Sequence, residues 1–246
     1  MNIRVVDAHK LGYRELNNEI RAAVAAGATT IKVEGACGQR YIGTGVNAPV
    51  NIEIYGTPGS DLAAFGNGPR ITVYGNGQEA VGNTLNAGEI VIHGHVNDVL
   101  GVSMRGGRIF IRDYVGYRAG IHMKAYREMK PVIVIGGAAQ HFLGEYMAGG
   151  VILVLGLGAK DRPPVGDYVG TGMHGGVIYI RGRVDSDCLG KEVSVLPLTD
   201  ADWDTIRNLV EDYCRYFGGD TQAILDAPFV KLAPVTHRPY GLLYVP

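Results

Sequence analysis

The sequence predicts an all-β fold: a right-handed, single-stranded parallel β-helix of about eight rungs, with an N-terminal capping helix and a C-terminal helix plus extended tail. Three observations predict it. A short motif, Ile/Val-x-Ile/Val, mostly closed by glycine, begins at Ile31, Ile52, Ile71, Ile90, Ile109, Ile133, Ile152 and Ile178, with spacings of 21, 19, 19, 19, 24, 19 and 26 residues. In four of these units a glycine (Gly82, Gly101, Gly144, Gly170) stands eight residues before the strand isoleucine. Between Ile52 and Gly182 there is no helical pattern long enough for the crossover helix that a TIM barrel or doubly wound sheet needs after each strand. A propeller needs about 40 residues per blade, twice this period.

Each element follows from its residues. Ile3–Val6 reads as a short edge strand. Leu16, Ile20 and Val24 recur at helical spacing, so Tyr13–Ala26 reads as a helix stopped by Gly27. It stands where it can cover the first open end of the coil. In the repeats, the first and third strand positions face inward and stack on their counterparts, while Lys32, Glu53 and Thr72 face outward. The glycine-rich halves read as turns leading to a second short strand, with Leu85, Met104, Met147 and Met173 filling one interior layer. Gly43, Gly82, Gly101, Gly144, Gly170, Gly175 and Gly182 are expected as structural turn glycines. After residue 190, Thr199 and Asp202 form a capping box opening a helix to about Phe217, with Trp203, Ile206, Val210, Tyr213 and Phe217 as its apolar stripe. This segment is expected to cover the second open end. A short helix is expected at Thr221–Leu225. The tail Pro228–Pro246 reads as extended, and too apolar to stand free in water. The 246 residues read as one domain, with a cap over 1–28, a coil over 29–190 and a C-terminal segment over 191–246.

Composition bounds the function. At a net charge of -1, no basic excess points to nucleic acid or anionic lipid. The three cysteines, Cys37, Cys188 and Cys214, are scattered and odd in number, which fits a reducing compartment. No signal-type or membrane-spanning run is seen, so a cytoplasmic location is expected.

The chemical motifs weigh little. Gly170-x-Gly172-x-x-Gly175 matches a dinucleotide fingerprint as a string, but a strand and not a helix follows, so a structural turn is the better reading. His93 and His95 with Asp98, and Asp185 and Asp187 with Cys188, could offer metal ligands; turn and surface-loop roles are expected instead. The four serines, Ser60, Ser103, Ser186 and Ser194, lie outside any nucleophile elbow. The outward carboxylates Glu34, Glu53, Glu89 and Glu145 occur singly. No catalytic, cofactor-binding or metal-binding residue is therefore assigned. The inserts are more informative. Asp113–Pro131 is basic and aromatic, and Lys160–Pro164 breaks the period again; inserts in solenoids become loops beside the regular wall that often bind partners, with an irregular but inert loop as the alternative. Tyr117, Arg118, His122, Lys124 and Tyr126 are the candidate partner-contact residues.

Gly116–Lys124, Val132–Gly137, Phe142–Gly150 and Tyr168–Gly182 together resemble the GXGXG domain, the C-terminal β-helix of the glutamate synthase large subunit. Leu196–Gly219 and Phe229–Pro234 resemble that domain's end, and the likeness spans about residues 12–234. It implies a non-catalytic scaffold, here as a free-standing subunit of a glutamate-synthase-like complex in nitrogen assimilation. The partners it implies are a glutamine amidotransferase and a synthase subunit carrying FMN and iron–sulfur clusters, with no cofactor on this chain. Self-association stays open. The C subunit of formylmethanofuran dehydrogenase is similar in its repeats, which makes a scaffold in that type of complex the alternative. An independent β-helix hydrolase or lyase is the third reading. Some such chains carry an esterase label, which the placement of the serines does not support.

Overall fold

All eight motif strands stack on one wall of a parallel coil. The structure, a computed structural model, describes residues 2–158 and 163–235. Its strands are β1 (Ile3–Asp7), β2 (Thr30–Cys37), β3 (Asn51–Thr57), β4 (Asn67–Tyr74), β5 (Ala87–Ile92), β6 (Arg108–Ile111), β7 (Val132–Ile135), β8 (Ala148–Val154), β9 (Gly175–Arg181), β10 (Val193–Leu196) and β11 (Phe229–Pro234). The helices are α1 (Tyr13–Ala25), α2 (Asp200–Phe217) and α3 (Thr221–Leu225). β1 to β9 pair in parallel and in sequence order. The register places Ile31, Ile52, Ile71, Ile90, Ile109, Ile133, Ile152 and Ile178 in one column. Stacked isoleucines share one face because strand side chains alternate. All eight are buried in the main core, with Leu85, Met104, Met147 and Met173. The coil makes about six turns, slightly fewer than the eight rungs counted from the motifs. A second, thinner ladder joins Gly77, Val96, Val115, Ala139 and Val165.

The glycine-rich halves are not a second strand. They form a corner in which alternate residues have positive φ, among them Arg118, Gly120 and His122, then Phe142, Gly144 and Tyr146. Their backbone N–H groups reach across rungs in opposite directions. Phe142 N donates to Asp167 O (2.9 Å) on the following rung, Gly144 N to Ala119 O (2.8 Å) on the preceding one, and Tyr146 N to Thr171 O (2.8 Å) on the following one. The corner therefore satisfies its polar groups between rungs without β geometry. A left-handed conformation costs a non-glycine residue roughly 1–2 kcal/mol, which these inter-rung bonds must offset. At Gly144 glycine is required twice over: its φ is 68°, and an added Cβ would lie 2.7 Å from Ile178 Cδ1. Gly170 repeats this against Val193 Cγ1 at 2.6 Å.

At the N-terminal end, α1 buries Leu16, Ile20 and Ala23 in the same core as Val6, Ile31 and Val33, and β1 adds an edge strand beside β2. The C-terminal segment departs from expectation. α2 does not cover the second end; it lies against the outer side of the wall. Its Ile206, Leu209, Val210 and Tyr213 form a second core with Val91, Phe110, Val134, Leu153 and Tyr179, the outward residues of β5 to β9. Lys32, Glu53 and Thr72 hold that outward position in β2 to β4, so the apolar seat begins where the outward column turns hydrophobic. The second end is closed by strands: β11 pairs antiparallel with β9, and β10 with β11. Pairing of β11 with β9 also gives the tail's first part an apolar seat, with Phe229 and Leu232 buried. The rest of the tail expectation, beyond residue 235, lies outside the described residues, as do residues 160–162 of the second insert.

A buried polar knot locks α2 in place. Thr199 and Asp202 form the capping box. Asp202 also accepts from Lys231 Nζ (2.8 Å) and from the Tyr179 hydroxyl (2.5 Å), tying the helix start to β11 and β9. At the other end, Tyr216 donates to Glu89 (2.7 Å) and Arg108 pairs with Asp212.

Candidate functional site: a stacked aromatic corner

The corner of the last rungs gathers side chains that are far apart in sequence. Positive φ turns the side chains of Arg118, His122, Phe142, Tyr146 and Tyr168 onto the outside of the corner, at equivalent places in successive turns. Rings then stack from rung to rung. Tyr117 lies on His141 (centroids 5.5 Å apart), His122 on Tyr146 (5.3 Å) and Phe142 on Tyr168 (4.9 Å), all within 22° of parallel. The Arg118 guanidinium covers the other face of Phe142 at 4.7 Å. Its Nε donates to Glu145 Oε2 at 2.8 Å. Glu145 is buried at 8% exposure, so the arginine supplies the counter-charge that its carboxylate needs.

Tyr117, Tyr146 and Tyr168 nevertheless remain 45%, 48% and 55% exposed. Three such large residues on one corner make a patch of the kind that marks an interaction site. Its composition, tyrosine, phenylalanine and arginine, is that of protein interfaces.

Of the partner-contact residues expected from sequence, Tyr117, Arg118 and His122 meet on this corner. Lys124 and Tyr126 lead away into a hairpin in which Tyr126 and Met129 exchange two backbone bonds of 3.0 Å each. Phe142, Tyr146 and Tyr168 were missed. Their signal is positional: they stand two residues before or after the corner glycine of their rung. Among the turn glycines, Gly43, Gly82, Gly101, Gly144 and Gly170 occupy one corner column with φ of 65–70°. Gly182 lies beyond β9 at φ 103°. Gly175 starts β9 and is pressed against Ala148, where a Cβ would lie 2.5 Å from the carbonyl oxygen.

The other motifs resolve into structural roles. Gly170 and Gly172 are corner residues followed by a strand, without the helix that a dinucleotide site requires. His93 is sandwiched between Tyr74 and the edge of Phe217, and burial followed by the nearby Arg112 charge lowers its pKa. His95 stacks on Tyr114, and Asp98 accepts from the Tyr117 N–H at 2.8 Å. Asp185 caps a short turn over Ser186–Cys188. Burial, then a hydrogen bond with Asp167, pushes the Cys188 thiol up. Among the described residues no group of three or more His, Cys, Asp or Glu side chains is arranged to hold a metal ion. Among the described residues are two shallow hollows. One is lined by Tyr13, Arg14, Asn17 and Arg21, the other by Asn51, Glu53, Arg70 and Thr72. In the second, Glu53 pairs with Lys32 and Arg70 with Glu89. Among the described residues, no helix is long and apolar enough to cross a membrane.

A parallel coil with this corner defines a GXGXG-type β-solenoid. The model of the GXGXG motif family matches residues 13–235, and the chain belongs to that family. It is 48% identical over 251 residues to the uncharacterized protein MJ1350 of Methanocaldococcus jannaschii, across 98% of this chain and 96% of that protein. Among solved structures, a chain of the formyltransferase/hydrolase complex (FhcABCD) from Methylorubrum extorquens, in complex with methylofuran, is similar with a TM-score of 0.49 and 18% identity. That match covers 90% of this chain and 87% of the other.

Proposed function

We propose that the chain is a non-catalytic scaffold subunit of a multi-subunit, glutamate-synthase-like oxidoreductase complex in nitrogen assimilation. The observation that carries this reading is membership of the GXGXG family over residues 13–235, together with an outer corner built of exposed stacked rings. In this reading a glutamine amidotransferase subunit and a synthase subunit are the partners. FMN and iron–sulfur clusters belong to the synthase subunit, and this chain binds no cofactor. The solenoid supplies a rigid wall, since each rung is fixed by its neighbours and cannot move alone.

A scaffold in a formylmethanofuran dehydrogenase-type complex is the rival assignment, and an independent hydrolase or lyase the third. One experiment separates the three. The chain is tagged in its native host and the co-purifying proteins are quantified. The proposal expects amidotransferase and flavin-containing subunits in fixed stoichiometry, with the absorbance of flavin and iron–sulfur clusters. Molybdenum- or tungsten-containing subunits would assign the rival complex. A solitary protein that turns over an ester or a polysaccharide would overturn both scaffold readings.

A further inference from the structure

The aromatic corner has a neighbour of defined charge. Arg105 and Lys124 follow the interior methionines Met104 and Met123 of adjacent rungs, and both are exposed. The hairpin beyond Lys124 adds Arg127 and Lys130, both exposed, against the single acid Glu128. None of these four cations forms an ion pair among the described residues. By contrast, Arg118 is already committed to Glu145. Tyr126 and Met129 stand exposed on the same hairpin, at 49% and 38%.

The geometry of the rings selects the kind of partner. Nucleobases and sugars bind on free ring faces. Here stacking already occupies a face of each ring: Tyr117 by His141, Tyr168 by Phe142, Tyr146 by His122 with Gly172 close against the same ring, and Phe142 by Tyr168 and the Arg118 guanidinium. Beside these exposed tyrosines stand ammonium and guanidinium groups that form no ion pair among the described residues. Exposed tyrosines suit a protein surface, and the cations call for carboxylates.

We propose that the corner of Tyr117, Tyr146 and Tyr168 and the Lys124–Lys130 hairpin form one docking face for an acidic segment of a partner protein. Aspartate and glutamate side chains of that segment meet Arg105, Lys124, Arg127 and Lys130. Its apolar positions cover the exposed tyrosines and Met129. Exclusion of water at the rings strengthens the charged contacts at the rim. This rests on the scaffold reading and adds to it the face used and the chemistry recognised.

The test uses the tagged chain in its native complex. Benzoylphenylalanine replaces Tyr146 in one strain and, as a control on the far wall, Glu53 in another. Irradiation at Tyr146 should cross-link a partner subunit through a peptide rich in Asp and Glu, and irradiation at Glu53 should not. A second variant, Lys124→Glu with Lys130→Glu, should lower partner retention roughly tenfold, with the deficit shrinking as salt is raised. Its melting temperature should stay that of the parent, since both side chains are exposed. If the complex assembles but the cross-links arise only at Glu53, or reach a second copy of this chain, or the charge reversal leaves retention intact, the docking face is wrong while the scaffold reading stands. If no complex is recovered with the unmodified chain, both fall.

Discussion

Replacing Gly144, a buried corner residue, by valine should destabilise the coil strongly. Two terms add. The left-handed backbone at φ 68° costs an L-residue roughly 1–2 kcal/mol, and a β-branched side chain stands at the upper end. The new Cβ would meet Ile178 Cδ1 at 2.7 Å, and Ile178 is fully buried with no room to turn away. Overpacking of this kind costs roughly 1–3 kcal/mol. The sum, about 2–5 kcal/mol, corresponds to a fall in melting temperature of roughly 4–10 °C for a chain of this size. Gly45→Ala separates the terms: φ is 68° there too, but nothing lies within 4 Å of an added Cβ, so only the backbone cost remains. It should lower the melting temperature by roughly 2–4 °C. The native chain holds alanine at one place in the glycine column, Ala63 at φ 59°, so Gly144→Ala should fall between the two. Thermal unfolding followed by circular dichroism reads all three. Equal losses for Gly45→Ala and Gly144→Val would refute the packing term, and a Gly144→Val protein melting with the parent would refute the whole corner assignment.

Three further outcomes are expected. Asp202→Asn should destabilise by about 3 kcal/mol, because Lys231 is left partly buried without its counter-charge. Burial raises the Asp202 carboxyl, but hydrogen bonds from Lys231, Thr199 and Tyr179 outweigh it and hold the pKa well below the usual range. A depressed carboxylate pKa contributes stability above the unfolded value of about 4, and that contribution is lost as pH falls toward the folded value. Urea titrations should therefore show the parent losing stability below about pH 4 more steeply than Asp202→Asn. Val134→Asp places a charge in the seat of α2, so limited proteolysis should release the C-terminal segment while the parallel coil keeps its strand spectrum. Cleavage throughout the chain would show instead that α2 is needed for the coil. Arg118→Ala should cost roughly 1–3 kcal/mol by orphaning the buried Glu145, and adding Glu145→Gln should recover part of it; a double variant no better than the single one would refute the pairing.

The main wall was legible residue by residue. The eight isoleucines named from spacing form one column in the structure, and the capping box, α2 and α3 fall within a residue of where they were expected. Such features are local or periodic, so the sequence pattern reports them directly. The corner was legible only in part. Glycines betray left-handed residues, but Tyr146, Phe142 and Tyr168 adopt the same backbone without glycine, and Phe142 and Tyr146 are held there by bonds to the following rung that no local pattern reveals. The seat of α2 was present in the sequence as the change from Lys32, Glu53 and Thr72 to Val91, Phe110, Val134, Leu153 and Tyr179. The expectation that α2 covers the open end fails because β10 and β11 close that end, and they carry only a short apolar alternation. The aromatic site was half visible for the same reason: Tyr117, Arg118 and His122 lie together in one insert, whereas the rings that stack on them come from later turns.

The scaffold role is tested most directly by turnover with and without this chain. Amidotransferase and synthase-type subunits recovered from the native complex would be stripped of the chain and assayed for glutamate formation from glutamine and 2-oxoglutarate. The chain alone should show no turnover. Its return should restore both assembly and glutamate formation, saturating at its stoichiometric ratio. Stripped subunits that remain assembled and fully active, with no response to the added chain, would contradict the role proposed for it.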